Sequence, residues 1–219
     1  MFDGERDGRL QRLVNSAKRS FATRGFHATS VSLIVQEAGI ARGTFYLHFD
    51  NKLHLFQSLL DSSLQNLTDQ IKPISLEPGD PHPLEQISDN LTRVLDLVLA
   101  DRDLSAILLN QTSSMSEVVE SRLYDFYQQV ADMIESSLVL GISVDLVRPC
   151  DTRLVAYSLM GSVKEVVQQM IIAPREEANV EETVQELLAF GLRAVLKEGQ
   201  MSFLHERDRS RTAGVKAGR

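Results

Sequence analysis

The chain has no tryptophan, one cysteine, six prolines and twelve glycines among 219 residues. A single thiol, Cys150, cannot close an internal disulfide, so a reducing compartment is the natural expectation. The scarcity of glycine and proline leaves few helix breakers, which suits long helices. No run approaches about 18 uninterrupted apolar residues, so no membrane span and no membrane partner are expected. The stretch MFDGERDGRL is charged and lacks the apolar segment of a signal peptide, which adds to the expectation of a cytoplasmic protein. The five histidines, at 27, 48, 54, 82 and 205, include no pair at zinc-ligand spacing, so no metal is expected. No nucleophile elbow, phosphate loop or paired acid and base stands at informative spacing. An enzyme therefore ranks far behind a binding protein, with no catalytic residue or cofactor expected.

What is present is a hydrophobic content of 43% and a charged content of 24%, ordinary for a globular chain long enough to bury a core. Net charge is −7, which by itself argues against a polyanionic partner. The charge is unevenly spread. Residues 1–52 hold eight Lys or Arg against five Asp or Glu, while the remainder holds fifteen against twenty-five. The basic excess is local to the N-terminal segment.

Periodicity is helical throughout, and an all-α fold is expected. Leu10, Leu13, Val14, Ala17 and Phe21 mark a first helix, stopped by a left-handed Gly25 with Phe26 folding back on Phe21. Thr29 or Ser30 can cap a second, short helix that buries Ile34, Val35 and Ala38 and ends at Gly39. A third begins near Ala41 and Arg42 and runs through Leu47. Two short helices about a tight glycine turn give a helix-turn-helix outline. Asp50 or Asn51 can cap a fourth helix, about 51–72, that connects this head to the rest. The stretch PISLEPGDPHP then concentrates four of the six prolines, and a domain boundary is placed there. Further helices are expected from about Leu84 to Ala100, Asp101 to Gln111, Met115 to Leu140, Asp151 to Ile172 and Val180 to Glu198. Ser114 and Glu117 form a capping box for the third of these. The expected division is 1–52 as the head, 73–204 as a second domain, and 205–219 as a polar, mobile tail.

Within GIARGTFYLHFDNK, Phe45 and Phe49 are four apart and share a face assigned to the core. Arg42, Gly43, Thr44, Tyr46 and His48 then point elsewhere, and such side chains suit phosphate oxygens and base edges. Lys52 falls in the first turn of the fourth helix, where the dipole opposes a cation unless an anion is bound there.

These residues, together with Gly25, the helix beginning near Thr29, Ala38, Gly39 and Leu55, resemble the DNA-binding domain of the TetR family of bacterial transcriptional regulators. The resemblance covers about residues 9–56. It implies that a recognition helix enters the major groove with Arg42, Gly43 and Thr44 at base edges. Tyr46, His48 and Lys52 would then meet phosphates, with Ser30 and Ser32 as further phosphate candidates and Lys18 and Arg19 less certain ones. It also implies a homodimer that binds a palindromic double-stranded operator and releases it when a small-molecule effector binds. Asn110, Tyr127 and Tyr157, polar-tipped residues in apolar helices, are candidate effector contacts. Gly161, Leu188, Gly191 and Val195, on helices with small residues that permit close approach, are candidates for the dimer interface. A non-transcriptional DNA-binding role, such as nucleoid occlusion, is the alternative within the family.

Overall fold

The structure is a computed structural model that describes residues 3–103, 105, 107, 117–172 and 179–198. Asn110, the Ser114 cap and the 205–219 tail lie outside these residues. Eight helices are present among the described residues: α1 (Asp3–Ala28), α2 (Val31–Ala38), α3 (Arg42–Tyr46), α4 (Lys52–Gln70), α5 (Pro83–Ala100), α6 (Glu117–Ser143), α7 (Thr152–Ile172) and α8 (Val180–Val195). Residues 102, 103, 105 and 107 are also helical, within the span expected from Asp101 to Gln111. The all-α expectation therefore holds, with an isolated antiparallel bridge between Val147 and Leu196. None of the described helices is long and apolar enough to cross a membrane.

The helix ends follow from side-chain chemistry. Ser30 is the N-cap of α2, its hydroxyl oxygen accepting from the Leu33 N–H at 3.2 Å. At the other end Gly39 takes φ 63° and ψ 39°. Its N–H donates to Gln36 O at 3.2 Å, and the Ile40 N–H donates to Val35 O at 3.1 Å. This pair of bonds is a Schellman motif, and Val35 and Ile40 pack in the same core beside it. Asn51 caps α4 by accepting from the His54 N–H at 2.9 Å.

Gly25 departs from the sequence expectation in its geometry. With φ 80° and ψ 164° it lies outside the left-handed helical region, in backbone space open essentially to glycine. The chain is kinked there and then makes a further helical turn to Ala28. Phe26 still folds back, its ring 5.8 Å from that of Phe21 and 5.3 Å from that of Phe56.

The described chain forms two compact units, each assembled from separated segments. The described residues within 1–71, 93–127 and 167–175 form the first. Its core gathers Leu13, Ala17 and Phe21 of α1, Ile34 and Val35 of α2, Phe45 of α3, and Leu55, Phe56, Leu59, Leu60 and Leu64 of α4. Ile107, Val119 and Leu123 belong to the same cluster, with Phe126 and Tyr127 packed against it. Ion pairs join Lys18 to Asp101 and Arg122 to Asp61 across the surface of this unit.

The described residues within 72–92, 128–166 and 176–219 form the second unit. A small core of Leu138, Val147, Ala156 and Val195 is extended by Ile134, Ile142, Val155 and Leu159. A Cβ at Gly191 would lie 3.0 Å from Leu159 Cδ2, so this glycine permits close approach of α8 to α7.

Phe45 is fully buried in a helix of only five residues, which is too short to be stable by itself. Its ring must supply the anchoring energy. Phe45→Ala is expected to destabilise the protein by about 3–5 kcal/mol, as a large-to-small core substitution does. Denaturant unfolding monitored by circular dichroism checks this; a loss below about 1 kcal/mol would show that α3 is held by other contacts.

Candidate nucleic-acid interface

Around the buried Phe45, the polar neighbours of α3 are left in solvent. Arg42, Gly43 and His48 are exposed, Thr44 is half-buried, and Tyr46 keeps 49% of its surface. The Thr44 N–H donates to Ala41 O at 2.9 Å, and the N–H groups of Leu47, His48 and Phe49 donate to Gly43 O or Phe45 O. The short helix thus runs into a tight turn and presents its polar groups together. Arg42 donates to the Tyr46 hydroxyl at 3.4 Å, and its guanidinium carbon lies 5.8 Å from the ring centroid. This i,i+4 pair keeps both side chains exposed.

Ser30 and Ser32 are exposed at the start of α2. Ser30 has the capping bond described above, while its second lone pair and its hydroxyl proton are available to a further partner. Lys18 and Arg24 have carboxylate partners within the chain, Asp101 and Glu37 respectively. The Arg24 guanidinium and the Ser20 hydroxyl hold the Glu37 carboxyl below the usual range.

Lys52 has acceptors that the sequence did not reveal. Its Nζ donates to Phe26 O at 2.5 Å and Thr29 O at 2.7 Å, with His27 O at 3.5 Å. The ammonium also lies 4.2 Å from the centroid of the Phe26 ring. Partial burial lowers the pKa of this lysine. Leu47 is a further residue that the polar pattern missed. It is 78% exposed, an apolar group beside α3 of the kind that can meet a thymine methyl.

The candidate effector residues are placed differently from one another. Tyr127 is half-buried against the core of the first unit, where burial raises the pKa of its phenol. Tyr157 is exposed in the second unit, its hydroxyl donating to Gln128 Oε1 at 2.9 Å and accepting from Arg153 Nε at 3.0 Å. Arg153 also pairs with Asp132 and, at 3.1 Å, with Glu135, so Tyr157 belongs to a polar network between α6 and α7. Hydrogen bonding to Asp132 and Tyr157 raises the guanidinium pKa against desolvation.

Of the candidate interface residues, Leu188, Gly191 and Val195 are buried within their own unit, and Gly161 is exposed. The same two helices leave other apolar groups open, chiefly Leu154 and Phe190, each 62% exposed. Cys150 is half-buried with a free thiol. Among the described residues no group of three or more His, Cys, Asp or Glu could hold a metal ion.

A capped helix, a Schellman turn and a second helix with a solvent-facing polar set define a helix-turn-helix DNA-binding protein. Residues 13–59 match the family described as bacterial regulatory proteins, tetR family. Two relatives extend the likeness beyond that segment. The transcriptional regulator AcrR of Shigella flexneri is 27% identical over 75% of this chain and 79% of its own. The fatty acid metabolism regulator protein of Bacillus subtilis is 22% identical over 84% and 95%. Among solved structures, NalD of Pseudomonas aeruginosa, described as the secondary repressor of a multidrug efflux pump, superimposes with a TM-score of 0.71. That match has 21% identity and covers 88% of this chain and 99% of NalD, a likeness of fold. Residues 13–59 are thus similar to the DNA-binding segment of the tetR family, and the chain is a DNA-binding transcriptional regulator.

Arg42→Ala is expected to cost about 1–3 kcal/mol of operator binding and to relax preference at one base position in each half-site. Because Arg42 is exposed, its loss leaves stability within about 0.5 kcal/mol. Binding titrations on an operator and on single-base variants check both statements; a uniform loss across all variants would make Arg42 a phosphate contact.

Proposed function

We propose that the chain is a ligand-responsive repressor that binds a palindromic operator as a homodimer. The observation that carries this is the segregation in and just after α3, where Phe45 is buried and Arg42, Gly43, Tyr46 and His48 are in solvent. In this reading Arg42, Gly43 and Thr44 meet base edges in the major groove. Tyr46, His48, Lys52, Ser30 and Ser32 meet phosphates and fix the register. Residues 1–52 act as the reading head, α4 connects it, and 73–204 contribute the effector site and the dimer contacts. The location is the cytoplasm, at the nucleoid. Repression is supported by the description of NalD as a repressor.

The mechanism is linkage. An effector that binds better to a conformation mismatched to the operator must weaken DNA binding by the same coupling free energy. A physical route exists within the first unit, because Phe45, Phe56 and Leu59 share one packed cluster with Val119 and Leu123, and Tyr127 lies against it. Tyr127 is the best placed of the three candidate effector contacts, having a polar tip in apolar surroundings.

For dimerisation the open apolar groups of α7 and α8, Leu154 and Phe190, supply surface that Leu188, Gly191 and Val195 have already spent within the chain. Gly161, exposed on α7, would allow a second subunit to approach closely.

Footprinting on genomic fragments tests the reading directly. Two protected half-sites centred about one helical turn, 34–36 Å, or a multiple apart are expected; a protected stretch with no internal two-fold symmetry would refute the dimeric mode. Phe190→Glu is expected to shift the protein to a monomer in analytical ultracentrifugation and to abolish the paired footprint. An unchanged sedimentation coefficient would remove Phe190 from the interface. From a panel of aromatic and acyl compounds, any that releases the wild type is expected to release Tyr127→Phe only at higher concentration, with operator affinity in its absence unchanged. Identical release curves would exclude the Tyr127 hydroxyl as an effector contact.

A further inference from the structure

Arg153 is the second residue of α7, whose first turn carries no acidic side chain, so the positive end of the helix dipole disfavours a cation there. Its position is explained by α6. Gln128, Asp132 and Glu135 lie at i, i+4 and i+7 on that helix and share a face. The Arg153 guanidinium spreads over all three, Nη1 donating to Asp132 and, at 3.1 Å, to Glu135 Oε2, and Nη2 donating to Gln128 Oε1. Thr152 adds a hydroxyl bond to Glu135 Oε1 at 2.9 Å. Nε of Arg153 donates to the Tyr157 hydroxyl at 3.0 Å, and that hydroxyl donates in turn to Gln128 Oε1 at 2.9 Å. The guanidinium carbon also lies 4.8 Å from the centroid of the Tyr157 ring.

Ion pairs this close to the surface contribute little to stability, so the network matters less for stability than for what it immobilises. Tyr157 is 37% exposed, yet its hydroxyl is held at both ends and its ring is held by the guanidinium. An exposed aromatic side chain already fixed in one rotamer loses little entropy when a partner covers it. Tyrosine is also among the residue types enriched in the few side chains that dominate binding energy at protein interfaces. With its proton donated to Gln128, the hydroxyl has none to offer an effector. Tyr157 lies three residues from the exposed Leu154 and four from the exposed Gly161, both assigned above to contact with a second subunit. We propose that Tyr157 is an anchor of the subunit interface, and that Arg153 is the positioning residue that pre-organises it through the α6 network. The occupant of this surface is a second copy of the chain. The inference rests on the homodimer proposed above.

Sedimentation equilibrium of the full chain over a concentration series tests this with three variants. Arg153→Lys keeps a charge beside Asp132 and Glu135 but cannot reproduce the planar fork, and the dimer dissociation constant is expected to rise about tenfold. Tyr157→Ala is expected to raise it about a hundredfold, because a two-fold interface loses the anchor twice. The double variant is expected to match Tyr157→Ala, since Arg153 acts through that ring. Wild-type dimerisation by Arg153→Lys, or losses that simply add in the double variant, would overturn the proposal. Nitration of the wild-type tyrosines, located by mass spectrometry, reads the same interface without altering the chain. Tyr157 is expected to be protected above the dissociation constant and to react below it, while the exposed Tyr124 reacts at both. Reactivity of Tyr157 that does not change with protein concentration would place it outside the interface and overturn the proposal. A wild type that sediments as a monomer at every concentration would refute the dimeric reading itself, and the proposal with it.

Discussion

The structure of the head depends on the burial of one aromatic ring. The reading helix has five residues, far fewer than the roughly 12–15 at which an isolated helix becomes marginally stable. Its conformation is therefore imposed from outside. Phe45 does this by packing in one cluster with Phe21, Ile34, Leu55 and Phe56, in which Phe21 and Phe56 pack T-shaped at 5.2 Å. The polar residues on either side of Phe45 then have one orientation available. Pre-organisation of this kind matters for recognition because side chains that need no reordering lose less entropy on binding.

The same cluster bears on regulation. It is continuous from Phe45 through α4 to Val119 and Leu123, so a rearrangement around α6 cannot leave the packing of the head unaffected. Close-packed interiors transmit displacement because they have few voids to absorb it. The Arg122–Asp61 and Lys18–Asp101 pairs add polar ties to the helices of the head. Both lie near the surface, where such pairs contribute little stability. Coupling is thus carried chiefly by the apolar contacts of α4.

Much of this was legible in the sequence because caps and turns have local signatures. Ser30, Gly39 and Asn51 each stop or start a helix where their chemistry indicates, and the four-residue spacing of Phe45 and Phe49 assigned the core face of α3. What was not legible has a common cause. Periodicity indicates that a helix face is buried without indicating against what, so Leu188, Gly191 and Val195 looked as suitable for a second subunit as for their own. The acceptors of Lys52 are backbone carbonyls, which every residue possesses and no sequence pattern marks. For the same reason the proline-rich stretch signals a change in the chain's course, yet does not reveal that the described residues of 93–127 pack in the unit that contains the head. The ψ of Gly25, which separates a kink from a left-handed cap, is likewise unmarked in the sequence, because glycine admits both conformations.

The central claim is that the solvent face of α3, held by Phe45, is the surface that reads DNA. Amide hydrogen exchange of the free protein and of its complex with the genomic fragment it retains most strongly measures this most directly. Slowed exchange confined to the start of α2 and to residues 41–49 is the result the account predicts. A tightly bound fragment that leaves exchange at 41–49 unchanged and slows it elsewhere would contradict the account.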